Sequence, residues 1–399
     1  MRRHTDTKAQ RKALGGFGSV IITLLLTACM SAATPTPMMT LEATPTCRPS
    51  SAWSELFTLA NAGLANPPAL AIVPEQVTFV YVTSDQNGAR QVMRRLRDGQ
   101  FTESTLTLPP IQPRAQSVFP AANGNVYVLW IDLDEITGQP TLFAALVLPT
   151  DEIARGPLPI SRDNERVYDY AAALAADGTL WVTWSGTISN EATVSMRQID
   201  GEGRPNNART LATDALHPAL IAQPDGSFLL FYEQARGDGV MRALVSDGVT
   251  LESTRITGKV ARTPGTMIHS VYAAMDETYG YFLWNLTRDD GRRETWISTG
   301  NLTALNWSPP ARFEPPYTWA RPLVGVQGAV RVAVTQDDDI GIVTLNGGVF
   351  GGYEQVTTCT PVLDPPALYA DARQSYLVWS QPRRGAPATL SLTVREAGR

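Results

Sequence analysis

The chain has 399 residues, of which 43% are hydrophobic and 18% are charged, a composition that fits a globular protein with a large core. Residues 1–28 hold five basic and one acidic side chain, so the total net charge of −5 divides into +4 for this segment and −9 for the rest. A body this acidic repels phosphate backbones, which argues against nucleic acid as a partner.

The first predicted element is a signal peptide over residues 1–28. Its basic part ends at Lys12, and the apolar stretch 13–26 is too short to span a membrane but typical of a signal-peptide core. The letters LTAC, which end at Cys29, resemble the lipobox of bacterial lipoproteins, where cleavage precedes a cysteine that is then lipidated. The resemblance implies an extracytoplasmic protein anchored to the bacterial cell membrane through lipid on Cys29. The alternative is an ordinary cleaved signal in which this cysteine has no role.

Residues 29–50 are rich in Thr, Pro and Ala, and they predict a flexible tether ahead of a folded domain over 51–399. Of the three cysteines, lipidation of Cys29 would leave Cys47 and Cys359. An even pair in an exported protein favours a disulfide. Two free thiols are the alternative, because sequence does not fix the distance between two cysteines.

Seven segments with one outline recur through the folded domain. The segment HPALIAQPDGSFLLFYEQ (217–234) has an apolar strand, a polar turn and a second strand ending in an aromatic side chain. Equivalent residues of the second strands lie about 45 to 54 positions apart, and they are Val82, Trp130, Trp184, Tyr232, Trp284, Val334 and Trp379. Two further strands follow in each repeat except the last, where only one is found. The pattern therefore predicts an all-β fold, a seven-bladed β-propeller of four-stranded antiparallel blades.

The two ends of the domain are predicted to meet. The last repeat shows only three strands before the chain ends, whereas SAWSELFTL (51–59) reads as a strand with no blade before it. We expect this N-terminal strand to complete the last blade, since closure removes two exposed sheet edges.

The strand order and the stretch TALNWSPPARF (303–313) resemble the sialidase-type propellers. In that family an Asp-box, Ser-x-Asp-x-Gly-x-Thr-Trp, joins the third and fourth strands, and here only its Trp-Ser-Pro-Pro ending is kept, without the Asp and Gly. Tyr232, Glu233 and Arg236 loosely resemble the strand-end residues of that family, whose members have six blades and use three arginines, a Tyr–Glu pair and an acidic Asp. No full set of this kind matches here, so the resemblance implies a related fold without the activity.

The first positions of the seven segments are expected to ring the channel mouth on one loop face, where function is commonly placed. The polar residues among them are Asp169, His217, His269, Arg321 and Asp364. Together with Glu233 and Arg236 they form the predicted ligand-binding set. A metal held by the two histidines and Asp169 is one reading, and side chains that merely line a wet channel is the other. The second is favoured, so no metal and no cofactor are predicted.

The expected function is a monomeric, non-catalytic envelope lipoprotein that binds a glycan or a protein partner through its loop face. The alternative is a sialidase-like glycoside hydrolase or lyase. Glycoside hydrolysis needs two carboxyl groups about 5–10 Å apart. Asp169 and Asp364 are the nearest candidates, but the repeat places them in blades 3 and 7. Binding is therefore favoured, and no catalytic residue is assigned.

Overall fold

A computed structural model describes residues 47–396 apart from 55, 63–67, 74–75, 86–87, 98–99, 103–105, 109–111, 224, 235–238, 247–248, 259–265, 303–306, 324–327, 338, 359–361, 363, 371–373 and 384–385. The predicted signal peptide, the lipidation site Cys29 and most of the predicted tether lie outside these residues. The described residues include no helix that could span a membrane.

The described strands form seven antiparallel sheets, numbered here along the chain. Two short N-terminal strands come first, and they are β1 (Arg48–Pro49) and β2 (Phe57–Ala62). Sheet 1 contains β3 (Ala69–Val73), β4 (Gln76–Asp85), β5 (Gly88–Arg97), β6 (Gln100–Phe101) and β7 (Leu106–Leu108). Sheet 2 contains β8 (Arg114–Pro120), β9 (Val126–Leu133), β10 (Pro140–Val147) and β11 (Ile153–Pro159), with a short 3-10 turn at Ala122–Gly124. Sheet 3 contains β12 (Arg166–Leu174), β13 (Leu180–Ile188), β14 (Glu191–Ile199) and β15 (Arg209–Thr213).

The remaining sheets continue the same pattern. Sheet 4 contains β16 (Ala215–Ala222), β17 (Phe228–Gln234), β18 (Gly239–Ser246) and β19 (Val249–Gly258). Sheet 5 contains β20 (Met267–Met275), β21 (Tyr279–Thr287), β22 (Arg293–Asn301) and β23 (Ala311–Arg312). Sheet 6 contains β24 (Trp319–Leu323), β25 (Val330–Gln336), β26 (Asp339–Asn346) and β27 (Val349–Thr358), and β1 adds to its outer edge. Sheet 7 contains β28 (Ala367–Ala370), β29 (Gln374–Arg383) and β30 (Ala386–Glu396), with β2 beside β30.

The core lies between the sheets. Seven hydrophobic clusters each join one sheet to the next, and one of them packs sheet 7 against sheet 1. The second strands are apolar along almost their whole length because a neighbouring sheet covers each face. The repeated tryptophans Trp130, Trp184, Trp284 and Trp379 are fully buried in these strands. The chain is therefore a β-propeller with four-stranded antiparallel blades.

The predicted blade count is reproduced in part. Sheets 2 to 6 each contain four strands consecutive in the chain, as predicted, whereas sheet 1 has five, because β6 and β7 both pair with β5. Sheet 7 supplies only three consecutive strands, and its fourth position is occupied by β2, whose Phe57 lies opposite Leu392. The predicted strand at 51–59 is shifted, because residues 51–54 form a turn and the paired residues are 57–62. Arg48–Pro49, which the sequence assigns to the tether, pairs with β27.

The segment between β1 and β2 packs along sheets 6 and 7. Trp53 is buried, and its indole nitrogen donates to Glu354 Oε1 at 2.9 Å. Glu354 also accepts from Arg395 of β30 at 2.5 Å. The backbone nitrogen of Val394 donates to Ser54 Oγ at 3.0 Å. The N-terminal residues thus tie the outer strands of sheets 6 and 7 together.

The Asp-box-like stretch has a packing role. Trp307 is buried between sheets 4 and 5, where its ring meets Phe231 at 5.2 Å between centroids. The ring lies over Gly280 and Gly300, and a Cβ atom added at either glycine would collide with it. Glycine is required at these two strand positions because the tryptophan occupies the space of their side chains.

Candidate functional site

The innermost strands of four consecutive sheets share an irregularity near their first residues. The register of each shifts relative to its second strand between Arg114 and Ser117, Val167 and Asp169, Leu216 and Ala219, and Ile268 and Ser270. Bulges of this kind re-aim side chains and concentrate at barrel rims and near active sites. Ala115 and His217 also have positive φ angles of 53° and 52°, which side-chain-bearing residues seldom adopt. Regular strand pairing is therefore interrupted where the innermost strands begin. We call this end of the propeller the mouth.

Asp169 and His217 form a polar pair at the mouth. His217 Nδ1 lies 2.5 Å from Asp169 Oδ2, so two adjacent sheets are joined through these side chains. Ser185, on the second strand beside Asp169, donates its hydroxyl to Asp169 Oδ1. Both members of the pair remain partly exposed, with side-chain exposures of 31% for Asp169 and 21% for His217. A carboxylate on Nδ1 holds the imidazole in one orientation and makes Nε2 the nitrogen that can exchange a proton with a ligand.

Arg321 reaches across the mouth. It lies on β24 of sheet 6, yet its Nη1 donates to the carbonyl oxygen of Pro68, at the start of sheet 1, at 2.8 Å. Its guanidinium carbon is 6.0 Å from the ring centre of Tyr272 on sheet 5. Its positive charge also acts on Tyr170 of sheet 3 and on Asp364 of sheet 7. One arginine thus brings a positive charge to the point where five sheets converge.

Asp364 carries an unusual carboxyl group beside this arginine. Burial raises the pKa of Asp364 to about 6, although the charges of Arg293 and Arg321 act to lower it. Its Oδ2 atom is buried and has no hydrogen-bond partner among the described residues. Native proteins rarely leave such an atom unpaired, and each case calls for an explanation such as a ligand or a catalytic role. A carboxyl that titrates near pH ~6 can serve as a proton donor at neutral pH.

Arg293 is the second arginine of the mouth, and it lies on the third strand of its sheet rather than on the first, as Arg321 does. Arg293 begins β22, and its guanidinium carbon lies 5.0 Å from the ring centre of Trp319. His269 meets the same indole edge-on at 5.4 Å, and its Nε2 lies 2.6 Å from Thr287 Oγ1. Partial burial and the Arg293 charge lower the pKa of His269, so this imidazole is neutral at pH 7.

Tyr170 fills the inner end of the mouth. Its hydroxyl lies 3.1 Å from the carbonyl oxygen of Leu129 and within hydrogen-bond reach of the Ala115 carbonyl. Burial raises the pKa of Tyr170, and a hydrogen bond with Ser117 and the Arg321 charge act in the opposite direction. Its hydroxyl therefore stays protonated and serves to fix the mouth rather than to accept a proton.

The predicted binding residues thus fall into three groups. Arg321 and Asp364 lie together, and Asp169 and His217 form a separate pair, while His269 lies with Trp319 instead of with the other histidine. Glu233 is buried at the end of β17. Arg236 lies outside the described residues, as does Cys359, whereas Cys47 takes part in a disulfide.

The reading that placed a metal between the two histidines and Asp169 is wrong. Among the described residues, no group of three or more His, Cys, Asp or Glu side chains could hold a metal ion. The physical reason is that His269 turns towards Thr287 and Trp319, whereas His217 turns towards Asp169.

Sequence reasoning missed Arg293, Tyr170 and Tyr272. Arg293 could have been found from its position in the polar loop TRDDGRR (287–293). This loop joins the second and third strands on the same face as the predicted ligand-binding residues. The two tyrosines lie one and three positions after predicted residues, where a bulge changes which side chains face inward.

No protein-family model matches the sequence, and no curated protein matches it either. Among solved structures, the polysaccharide lyase Uly1 is similar with a TM-score of 0.57 and 9% identity, over 84% of this chain and 91% of that one. A protein of unknown function from Dyadobacter fermentans DSM 18053 has a TM-score of 0.50 and 11% identity, over 71% and 94%. An α-L-arabinanase from Penicillium chrysogenum has a TM-score of 0.45 and 11% identity, over 88% and 99%. At these identities the similarities show the fold alone, a β-propeller.

Proposed function

We propose that this propeller binds a carbohydrate chain at its mouth and cleaves a glycosidic bond in it, as a sialidase-like hydrolase or a lyase. The observation that carries the proposal is Asp364, a carboxyl with a buried, unpartnered oxygen and a pKa of about 6 beside Arg293 and Arg321. Perturbed carboxyl groups in concave, polar sites are the usual mark of acid–base chemistry. The propeller fold of a polysaccharide lyase supports the same class of function.

Two roles follow from the geometry. In hydrolysis, Asp364 would donate its proton to the oxygen of the leaving sugar, and His217, oriented by Asp169, would take a proton from the water that attacks the anomeric carbon. In elimination, His217, oriented by Asp169, would remove the proton beside a sugar carboxylate whose charge the arginines neutralise. The bond to the leaving oxygen then breaks, that oxygen takes a proton from Asp364, and an unsaturated sugar results. Both routes would suit a sugar whose hydroxyl or carboxylate groups contact Arg293 and Arg321.

Non-catalytic binding, expected from the sequence, would use the same residues. It differs in outcome, because the sugar would be retained without being shortened. A protein partner on the loop face would be retained without any sugar.

The test uses the purified full chain with polygalacturonate, alginate, hyaluronan, sialylated glycans and arabinan. New reducing ends report hydrolysis, and ultraviolet absorbance of unsaturated ends reports elimination. We expect cleavage of one anionic substrate, lost in Asp364→Asn and retained in Asp289→Asn, an exposed aspartate of the β21–β22 loop. Retention of a glycan without cleavage would support non-catalytic binding. The absence of both binding and cleavage would rule out a role on these substrates.

The localisation stays a proposal that rests on the sequence. We place the protein, as a monomer, outside the cytoplasm, with Cys29 lipidated and the propeller held at the membrane near envelope glycans or proteins. Incorporation of radiolabelled fatty acid should occur in the native chain and disappear in Cys29→Ala. Incorporation that persists in this variant would contradict the anchor.

We also propose that sheet 7 is the seventh blade and that β2 closes the ring. Support comes from the hydrophobic clusters on both sides of sheet 7, one with sheet 6 and one with sheet 1. The N-terminal Trp53 and Ser54, which contact both outer strands, act in the same sense.

A further inference from the structure

A cleft opens on the mouth face between sheets 2 and 3. It encloses about 660 Å³, a volume within the range of ~300–1,000 Å³ that ligand pockets show. Three connections form its walls: the β9–β10 loop, the entry to β12 and the β13–β14 hairpin. Its lining includes Gln139, Pro140, Asn164, Arg166, Tyr168 and Asn190.

Tyr168 stands out in this cleft as an exposed aromatic side chain. It is 41% exposed, although it lies within a strand whose neighbours Val167 and Asp169 turn inward. The register shift between Val167 and Asp169 leaves Tyr168 as the extra residue of the bulge, so its ring projects outward. Its hydroxyl lies 3.3 Å from Thr187 Oγ1, which holds one edge of the ring in place.

The groups around this ring suit a sugar. A tyrosine ring offers an apolar face with a polar edge, which matches the C–H face and hydroxyl rim of a pyranose. The amide side chains of Gln139, Asn164 and Asn190 can each donate and accept hydrogen bonds. The guanidinium carbon of Arg166 lies 5.9 Å from the Tyr168 ring centre and brings a positive charge for a carboxylate or sulfate.

The cleft borders the mouth through Tyr168, the residue that precedes Asp169. Tyr168 and Asp169 are adjacent, so one bulge sends one side chain into the cleft and the next towards His217. Arg114, from the bulged strand of sheet 2, donates through Nη2 to the carbonyl oxygen of Val167 at 3.4 Å. The cleft therefore lies next to the Asp169–His217 pair, at the edge of the mouth.

From this juxtaposition we propose that the cleft binds further sugar residues of the chain held at the mouth, with Tyr168 as the stacking platform. The inference rests on the proposed carbohydrate function and deepens it: the substrate is a polysaccharide bound along several residues, not a single terminal sugar. Tyr168 is a binding residue here and takes no part in the bond cleavage.

The experiment measures the affinity of the full chain for oligosaccharides of galacturonate, alginate and hyaluronan, from disaccharide to octasaccharide. We expect affinity to rise with length in the native protein. Tyr168→Ala should weaken binding of the longest bound oligosaccharide about tenfold and of the disaccharide less than about twofold. Tyr168→Phe should stay near the native affinity because the ring remains. Tyr353→Ala is the control. It removes a tyrosine of nearly equal exposure, 42%, from the outer strand of sheet 6 and should leave the affinity for every oligosaccharide unchanged.

The outcomes separate this inference from the proposed function. Arg321→Ala should weaken every length alike, which tests the mouth. If Tyr168→Ala loses less than about twofold for the longest oligosaccharide, or loses equally at every length, the cleft is not a sugar site and the mouth function stands. If the native chain binds none of these oligosaccharides and shortens none of the polysaccharides, both proposals are wrong.

Discussion

The buried carboxyl of Asp364 should reduce the stability of the protein in which it sits. An ordinary aspartate titrates near pH ~4, whereas burial raises the pKa of Asp364 to about 6. Each pH unit of difference between folded and unfolded chain is worth ~1.4 kcal/mol, so ionising this group in the native state costs ~2–3 kcal/mol. The lower end of that range allows for its residual solvent contact. Asp364→Asn removes the charge and keeps the shape, and it should therefore stabilise the fold.

The sign of the effect fixes its pH dependence. A group whose pKa is raised by folding favours the native state below its unfolded pKa, and this contribution is lost as pH rises through about 6. The Asn variant should match the native protein near pH 4 and exceed it by ~2–3 kcal/mol near pH 7.5. Urea unfolding followed by tryptophan fluorescence at several pH values measures this difference, provided that the slopes agree. Asp289→Asn is the control, because that side chain is exposed in a loop.

Two results would refute the reasoning. If Asp364→Asn gives no stabilisation at pH 7.5, the two arginines fully offset the cost of burying the ionised carboxylate. If the stabilisation is the same at pH 4 and pH 7.5, it comes from packing or hydrogen bonding and not from charge.

Three further predictions concern the fold. Deleting residues 47–62 removes β1 and β2 and exposes two sheet edges, so we expect aggregation or a large fall in melting temperature; stability close to native would contradict the closing role of this segment. Gly300→Ala places a methyl group against a buried tryptophan ring and should cost about 1–3 kcal/mol, whereas Gly201→Ala, which has open space around it, should change stability by less than about 0.5 kcal/mol in chemical unfolding. Mass spectrometry of the unreduced, digested protein should find Cys47 linked to Cys359, and labelling of both thiols after denaturation without reductant would exclude that bridge.

The propeller could be predicted because its repeat is carried by packing residues. Trp130, Trp184, Trp284 and Trp379 must lie at equivalent places, since each fills the space between two sheets. The alternation of strands and the Asp-Gly turns then give the first two strands of every repeat. The strand that pairs with β30 begins several residues after the predicted start, because Trp53 and Leu56 read as strand residues but pack beside sheets 6 and 7 ahead of the strand.

The mouth was predicted less well, because the bulges change which side chains of the innermost strands face inward, and the repeat in the sequence does not show the bulges. His217 and His269 occupy equivalent positions in adjacent repeats, yet one pairs with Asp169 and the other packs on Trp319. His217 also has a left-handed backbone, whereas His269 does not, and the residue types in the sequence do not predict this difference. Arg321 was predicted at the mouth, but its hydrogen bond from sheet 6 to the carbonyl of Pro68 depends on how sheets 6, 7 and 1 pack together, which a single repeat does not encode.

Several irregular groups lie together at the mouth, although the blades contain other irregularities as well. The seven apolar clusters supply the packing that holds the sheets together. The mouth combines the left-handed residues Ala115 and His217, the bulge at Tyr168 and the unpartnered oxygen of Asp364. Strain and destabilising charges persist where the rest of the structure can hold them and where they serve binding or catalysis. The stability that the clusters provide allows the mouth to keep the carboxyl of Asp364, although a neutral side chain there would make the fold more stable.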